Sequence, residues 1–143
     1  MTPSGSILTT GMEDEMNDTR EYSGHLRFET LVVSNDEARG TMPVQEGVLN
    51  PFGTVHAGAL VWFADVVATR LALQGASVSA GGQGFPLAIN ITAQILSNVT
   101  SGILTARARF VKKGRTLQVV RTEVTSDQGK QLLDLTTSHI TSK

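Results

Sequence analysis

The sequence predicts an α+β domain in which six antiparallel strands pack around one long helix, in the order β-β-α-β-β-β-β. One segment, from about Ala57 to Gln74, is apolar over most of a helical circumference, which is typical of a central buried helix. The segments after it alternate apolar and polar residues with a period of two and are separated by short turns. Successive hairpins that follow a single apolar helix favour an antiparallel sheet packed against that helix.

Before the helix, the sequence predicts a leader and two strands. Residues 1–24 are rich in small and acidic residues, so we expect a flexible N-terminal leader and a folded domain over residues 25–143. Residues 25–34 and 40–48 are the two strand candidates, and a turn separates them at Asn35 and Asp36. Residues 50–54 have the composition of a loop that leads into the helix.

After the helix, the sequence predicts a connection and four strands. The connection, residues 77–84, is rich in Gly and Ser. Residues 87–95 have the alternation of a half-buried strand. Three further strands are predicted over residues 103–111, 117–126 and 130–141, with turns at 98–102, 112–114 and 127–129.

Composition excludes several classes of protein. The chain has 143 residues, of which 40% are hydrophobic and 17% are charged, and this excludes wholesale disorder. A formal net charge of −1 gives no global case for binding nucleic acid or an anionic membrane. The absence of cysteine excludes a thiolate nucleophile and Cys-ligated metals. With neither a signal-peptide pattern nor a spanning segment, we expect a soluble, cytoplasmic protein.

Asp65 is the unusual residue of the predicted helix. Aspartate is a poor residue for a helix interior, and burying an unpaired carboxylate is costly. One interpretation is structural, with the carboxylate satisfied by a neighbouring group or lying on a narrow exposed strip. The other is functional: in a cleft, desolvation would raise the pKa of the carboxyl and make it a better base. The residue pattern leaves both interpretations open.

The predicted start of the helix is a candidate anion site. Free backbone N–H groups and the helix dipole favour an anion beside His56 and Ala57. Taken alone, His56 is better interpreted as an ordinary helix cap or as a core histidine that bonds to a loop carbonyl. Ala57 and Asp65 are separated by roughly 12 Å of helical rise. They cannot act on one small group within a single chain, so we expect a second chain to complete the site.

Other chemistry is weakly indicated. Half of the basic residues fall between Arg107 and Arg121, and those around Gly114 could bind a phosphate if they do not simply form a solvated surface. The sequence has no phosphate-loop, dinucleotide-binding, zinc-protease or nucleophile-elbow motif. Its histidines, His25, His56 and His139, have no metal-ligand spacing. We therefore expect no metal and no cofactor.

Residues 50–65, Asn-Pro-Phe-Gly-Thr-Val-His-Ala-Gly-Ala-Leu-Val-Trp-Phe-Ala-Asp, resemble a motif of the hotdog-fold acyl-CoA thioesterases of the phenylacetate-degradation and 4-hydroxybenzoyl-CoA type. That motif has an Asn or Gln, a loop, Gly-x-x-His-Gly-Gly, and an acid on the following helix. The resemblance covers roughly residues 25–143. It implies a hotdog fold, in which a long helix is wrapped by a six-stranded antiparallel sheet. It also implies a homodimer with active sites at the subunit interface, often a dimer of dimers.

The resemblance also implies residue roles. Asp65 matches the acid, which acts as general base or nucleophile, and the Ala57 N–H matches the oxyanion donor. Asn50 matches the loop amide that orients water or the carboxylate, His56 the motif histidine, and Thr69 a hydroxyl that positions water. The implied substrate and coenzyme A contacts are Gly58, Lys112, Lys113, Gly114 and Arg115.

One departure from the motif bears on the substrate. The family usually has Gly-Gly after the histidine, whereas this chain has Ala57-Gly58. Alanine can still supply the N–H, but its methyl group would narrow the acyl range. The expected activity is hydrolysis of an acyl-CoA to a carboxylic acid and CoA. The alternatives are a hotdog enoyl-CoA hydratase or dehydratase, and a non-catalytic acyl-CoA-binding protein.

Overall fold

The computed structural model describes residues 19–74 and 85–141 and confirms the predicted order of elements. Its one α-helix in these ranges, α1, spans Ala57–Leu73. A 3-10 turn spans Glu46–Val48. The strands are β1 Glu29–Ser34, β2 Glu37–Pro43, β3 Pro86–Ile95, β4 Ile103–Lys113, β5 Leu117–Thr125 and β6 Gln131–Thr141. Most of the predicted leader (1–18), the predicted connection (77–84) and residues 75, 76, 142 and 143 lie outside the described residues.

All six strands form one antiparallel sheet in the order β1-β2-β4-β5-β6-β3. Helix α1 crosses this sheet and contacts every strand of it. The predicted central helix wrapped by a sheet is therefore confirmed. Within the described ranges, no helix is long and apolar enough to cross a membrane.

The core lies between α1 and the concave face of the sheet. Alternate residues of β4, β5 and β6 point toward the helix and are buried, as the period-two pattern predicts. The buried face of the helix consists of Ala59, Leu60, Phe63, Ala64, Val67, Ala68, Leu71 and Ala72.

Small residues on the sheet allow the helix to lie close to it. Gly40 of β2 is buried, and a Cβ atom added there would lie 2.6 Å from Val67 Cγ2 and 2.9 Å from Phe63 Cε1. Next to Gly40 the inner face of β2 and β4 carries alanines with no exposed surface, namely Ala38, Ala106 and Ala108. The sheet surface at this contact with the helix therefore consists of residues with no side chain or a single methyl group.

The bounds of the first two strands differ from the prediction. β1 begins at Glu29 rather than at residue 25, because the preceding segment bonds to the 3-10 turn region instead of β2. The His25 N–H donates to the Gly47 carbonyl over 3.1 Å, and Gln45 Nε2 donates to the Arg27 carbonyl over 3.2 Å. β2 ends at Pro43, which has no N–H to continue the ladder, so residues 46–48 are not strand.

The predicted turn at residues 112–114 is also shifted. Lys112 and Lys113 belong to β4, and a β-bulge lies between Phe110 and Lys112. A bulge interrupts the alternation of faces along a strand. The side chains that follow it therefore do not lie on the faces that a strict period of two predicts. Lys113 Nζ consequently lies 5.2 Å from the centre of the Phe110 ring, and the hairpin turn begins at Gly114.

The predicted half-burial of β3 is wrong for the single chain. Its apolar residues are largely exposed: Leu87 is 50% exposed, Ile89 54%, Ile91 46% and Ile95 47%. The register pairs Ile91 with Thr137 and Ile95 with Leu133, so both isoleucines share the helix side of the sheet. The alternation is correct, but β3 is an edge strand, and α1 contacts it without burying these side chains.

Substitution of Gly40 tests the close packing of α1 against the sheet. Gly40→Ala is expected to lower the free energy of unfolding by about 1–3 kcal/mol, because the new methyl group overpacks the helix contact. Thr41→Val changes an exposed position of the same strand and is expected to stay within about 0.5 kcal/mol of wild type. Urea denaturation measures both variants. Equal stability of Gly40→Ala and wild type would contradict the packing described here.

Candidate active site

His56 is the N-cap of α1. Its Nδ1 accepts a hydrogen bond from the Gly58 N–H over 3.0 Å. Because a backbone amide only donates, Nδ1 is unprotonated here, and the neutral ring carries its hydrogen on Nε2. The side chain thus satisfies one of the free N–H groups at the start of the helix, which agrees with its interpretation as a cap.

The N–H of Ala57 is a free donor at the start of α1. Ala57 is the first helical residue and is exposed, and no hydrogen bond among the described residues uses its N–H. Gly58 donates to His56 instead. A single backbone donor with the helix dipole behind it is therefore available to an anion, as the sequence predicts.

The Asn50 side chain shapes the loop before the helix. Its Oδ1 accepts from the Phe52 N–H over 2.9 Å and from the Thr54 N–H over 3.2 Å. Its Nδ2 donates to Thr54 Oγ1 over 2.7 Å. Gly53 completes this turn with a φ of 83°, in the left-handed region that favours glycine. One amide hydrogen of Asn50 remains beyond these bonds, because an NH₂ group has two.

Asp65 is a half-buried carboxylate on the middle of α1. Its Oδ1 is buried and has no hydrogen-bond partner among the described residues. Desolvation by burial raises the pKa of this carboxyl, and the charge of His139 opposes that shift in part. These are the features that the functional interpretation of Asp65 requires. Thr69, one helical turn later, is also half-buried and shares this side of the helix.

His139 is a buried neighbour of Asp65 that the sequence analysis did not assign to the site. It is 1% exposed on β6, and its Nδ1 lies 3.0 Å from the Pro86 carbonyl, which can only accept. The Nδ1 therefore carries hydrogen, and in the neutral ring Nε2 accepts from Thr137 Oγ1 over 2.8 Å. The alternation of Leu133, Leu135 and Thr137 on β6 carries the signal for this placement, because His139 is in phase with them.

The start of the helix borders a cavity of about 340 Å³. Asn50, His56 and Gly58 line its polar side, and Leu26 and Trp62 are part of its apolar wall. Trp62 is 54% exposed although it lies on the central helix. The structure therefore brings three of the predicted site residues together around one space, which is lined by both chain neighbours of Ala57 but not by Ala57 itself.

Asp65 does not line this cavity, because eight residues of helix place it roughly 12 Å along α1 from Ala57. The basic residues of the β4–β5 hairpin, predicted to bind coenzyme A, lie at the opposite end of the helix. Lys113 Nζ donates to the Asn35 carbonyl over 3.0 Å, and Gln74, which caps the end of α1, approaches the same carbonyl at 3.5 Å. Lys112, Lys113, Gly114 and Arg115 are thus about 25 Å from the start of the helix. One chain does not bring the predicted residues into a single site.

No group of three or more metal-ligating side chains that could hold an ion occurs within residues 19–74 and 85–141. Around the cavity the structure brings together the Asn50 amide and the His56 imidazole, whereas the Asp65 carboxylate lies apart from them on α1. A backbone N–H at a helix start can polarise a carbonyl and a carboxylate can take a proton, so one chain carries both kinds of group in separate places.

Comparison with known proteins identifies the family. A model of the thioesterase superfamily matches residues 52–133. A crystal structure of a thioesterase from Haemophilus influenzae has a TM-score of 0.73 at 26% identity, covering 82% of this chain and 79% of that chain. A Haemophilus influenzae protein that carries the provisional name of an esterase is 31% identical over 109 residues, which cover 74% of each sequence. A Streptococcus pneumoniae protein, solved with coenzyme A and described as a hypothetical thioesterase, shares the fold with a TM-score of 0.70 at 18% identity, covering 80% of this chain and 88% of that chain.

The architecture, one helix wrapped by six antiparallel strands, is the hotdog fold that the sequence resemblance implies. The chain belongs to the thioesterase superfamily. The expected enzyme class, a thioesterase, is confirmed.

The unpaired carboxyl of Asp65 predicts a pH-dependent effect on stability. Because the pKa of Asp65 is raised in the folded chain, folding favours the protonated carboxyl. The contribution of this group to the free energy of unfolding is therefore full below the ordinary carboxyl pKa and is lost as the pH rises through the raised pKa. Asp65→Asn is therefore expected to raise the free energy of unfolding at neutral pH, and the gain should vanish below the ordinary carboxyl pKa.

Asp134→Asn is the matched control for this measurement. Its hydrogen bond with Arg121 lowers the pKa of the Asp134 carboxyl, so this variant should lose a small amount of stability at neutral pH and recover it in acid. Thermal unfolding across pH 3–8 compares the two. The same sign for both variants at neutral pH would contradict the environment described for Asp65.

Proposed function

We propose that this thioesterase hydrolyses an acyl-CoA to a carboxylic acid and free CoA, at sites shared between two copies of the chain. Two groups of α1 support the proposal most strongly: the free N–H of Ala57 at the start of the helix, and the unpaired, desolvated carboxyl of Asp65. The first can stabilise an oxyanion, and the second can act on the carbonyl carbon or on water. The coenzyme A in the pneumococcal structure of the same fold supports the choice of thioester.

Ala57 would act on the thioester oxygen. As the carbonyl becomes tetrahedral, negative charge develops on its oxygen, and the N–H donates to that charge from the positive end of the helix dipole. His56 supports this geometry because it holds the Gly58 N–H and fixes the first turn. Gly58 has no side chain, so it leaves room for the substrate where it lines the cavity.

Asp65 of the partner would supply the second group. As a general base it takes a proton from water, the hydroxide attacks the carbonyl carbon, the C–S bond breaks, and the proton passes to the departing thiolate. As a nucleophile it attacks the carbon itself, CoA leaves, and water then hydrolyses the anhydride. Thr69 and the remaining amide hydrogen of Asn50 would position the water.

The exposed edge of β3 supports a homodimer. A long apolar edge strand is an aggregation hazard unless another strand covers it. Two copies that pair along β3 about a two-fold axis cover their exposed isoleucines and place their helices side by side in opposite directions. The start of one helix then approaches the middle and the far end of the other. This arrangement brings Ala57 toward the partner's Asp65 and toward the partner's basic hairpin. A dimer of dimers remains an expectation of the resemblance alone.

The cavity beside the helix start would receive the acyl group. His56 and Gly58, the chain neighbours of Ala57, line it, and Leu26 and Trp62 give it an apolar wall suited to an acyl chain or an aromatic ring. The phosphates of coenzyme A would then point toward the exposed basic residues, Lys112 and Arg115, of the hairpin at the dimer interface.

Loss of the Asp65 carboxylate tests the proposed chemistry. Asp65→Asn is expected to lower kcat for acyl-CoA hydrolysis by about 10²–10⁴-fold, the range for removing a general base, while the fold remains intact. Release of free thiol from benzoyl-, phenylacetyl- and medium-chain acyl-CoAs measures it. Asp134→Asn removes a carboxylate on the opposite face of the sheet and should retain wild-type turnover. Unchanged turnover in Asp65→Asn would overturn the assignment, and loss of crotonyl-CoA absorbance without thiol release would indicate a hydratase instead.

Subunit complementation tests the shared site. Ala57→Pro removes the N–H at the first helical position, where proline is tolerated, and should lower kcat by about 10²–10³-fold. An inactive Asp65→Asn chain mixed with an inactive Ala57→Pro chain, unfolded and refolded together, forms heterodimers with one intact site. We expect about a quarter of wild-type activity to return, since about half of the dimers are mixed. No recovery in a demonstrated heterodimer would place both groups in one chain.

A further inference from the structure

Asn98 connects the end of β3 to the loop that precedes the helix. It lies three residues after the last residue of β3, and its side chain reaches across to Val55, which is 43 residues away along the chain. The Val55 N–H donates to Asn98 Oδ1 over 3.1 Å, and Asn98 Nδ2 donates to the Val55 carbonyl over 2.7 Å. One side chain thereby satisfies both polar groups of one backbone unit, as a neighbouring strand would.

Val55 needs these bonds because it is fully buried. Backbone polar groups that lack partners in a protein interior each cost about 1–3 kcal/mol. The rest of the loop is held by the Asn50 side chain, by an isolated bridge between Leu49 and Val55, and by the His56 N–H, which donates to the Val48 carbonyl over 2.8 Å. None of these bonds uses the polar groups of Val55 itself. Val55 directly precedes the cap and the free donor of α1, so its position sets where the helix starts.

Hydrogen bonds to the start of β6 hold Asn98 in place. Lys130 Nζ donates to the Asn98 carbonyl over 2.9 Å, and the preceding residue, Ser97, donates its hydroxyl to the Gln131 carbonyl over 2.5 Å. The Val99 N–H shares the Asn98 Oδ1 over 2.8 Å, which fixes the rotamer of the amide. The start of β6 thus holds the Asn98 backbone, and the Asn98 amide holds the loop.

We propose that Asn98 is a positioning residue that fixes the Ala57 N–H for the reaction. It touches neither substrate nor reacting atoms, and it acts through Val55 and the start of α1. Its effect on turnover rests on the proposed function of Ala57, whereas its effect on the loop does not. Because β3 is also the proposed dimer edge, Asn98 ties the oxyanion donor of one chain to the strand that positions the partner's Asp65.

Asn98→Asp is the primary variant. It keeps the oxygen that accepts from Val55 and Val99 but replaces the donor to the Val55 carbonyl with a second oxygen, which repels it. We expect the loop to open more often, with amide hydrogen exchange at Val55 and His56 at least about tenfold faster and exchange in β6 unchanged. We expect kcat to fall by about 10–100-fold and KM to change little, because the donor is misplaced while the cavity remains.

A double-mutant cycle identifies the group through which Asn98 acts. If Asn98 serves the Ala57 N–H, Asn98→Asp should have almost no further effect on kcat in the Ala57→Pro background. Gln128→Glu is the matched control, since it makes the same change from amide to carboxylate at an exposed turn position, away from Val55 and from the bonds that hold Asn98. It should leave loop exchange and kcat near their wild-type values.

The two readouts separate failure of this proposal from failure of the proposed function. Wild-type exchange at Val55 and His56 in Asn98→Asp would overturn the positioning role whatever the activity. An undiminished kcat loss in the Ala57→Pro background would overturn it as well, because Asn98 would then act elsewhere. Faster loop exchange in a protein whose wild type hydrolyses no acyl-CoA would leave the link to the loop in place and refute the acyl-CoA assignment.

Discussion

The fixed rise of helix α1 is the constraint on which the rest of the molecule depends. An α-helix advances about 1.5 Å per residue, so no side-chain rotation brings Asp65 to the donor at Ala57. The fold holds both groups rigidly because the same helix is pressed into the sheet along its whole length. The two groups therefore stay apart in one chain, and β3 keeps its exposed edge. In the proposed dimer, a second chain would complete the site and cover that edge.

The helix and the four strands after it could be predicted because their patterns are local. Apolar periodicity and turn residues are properties of consecutive positions in the chain. The observed bounds of these elements agree with the predicted bounds within one or two residues. The bounds of the first two strands could not be predicted, because contacts made by His25 and Gln45 with distant backbone decide them. The exposure of β3 was missed for a related reason, since the alternation of apolar residues does not say which molecule covers them.

The candidate site was visible in the sequence only in part. Asp65 stood out because a carboxylate on an apolar helix conflicts with its surroundings, and His56 because it precedes a helix pattern. His139 could have been placed from the phase of β6, but nothing in its neighbours indicates that it lies near Asp65. Asn98 looks like any turn amide, because its partner Val55 is 43 residues away along the chain. Asp65 breaks a local pattern and His56 marks the start of one, whereas His139 and Asn98 each fit their surroundings in the sequence.

The glycine and alanine residues of the sheet beneath α1 affect how the chain folds. Glycine and alanine are poor strand formers, yet Ala38, Gly40, Ala106 and Ala108 occupy the middle of two neighbouring strands. Those strands gain little from each other until the helix covers them, and the helix has no other surface on which to bury its apolar face. Sheet and helix must therefore form in one cooperative step that depends on contacts distant in sequence, which favours slow, two-state folding without a stable sheet intermediate.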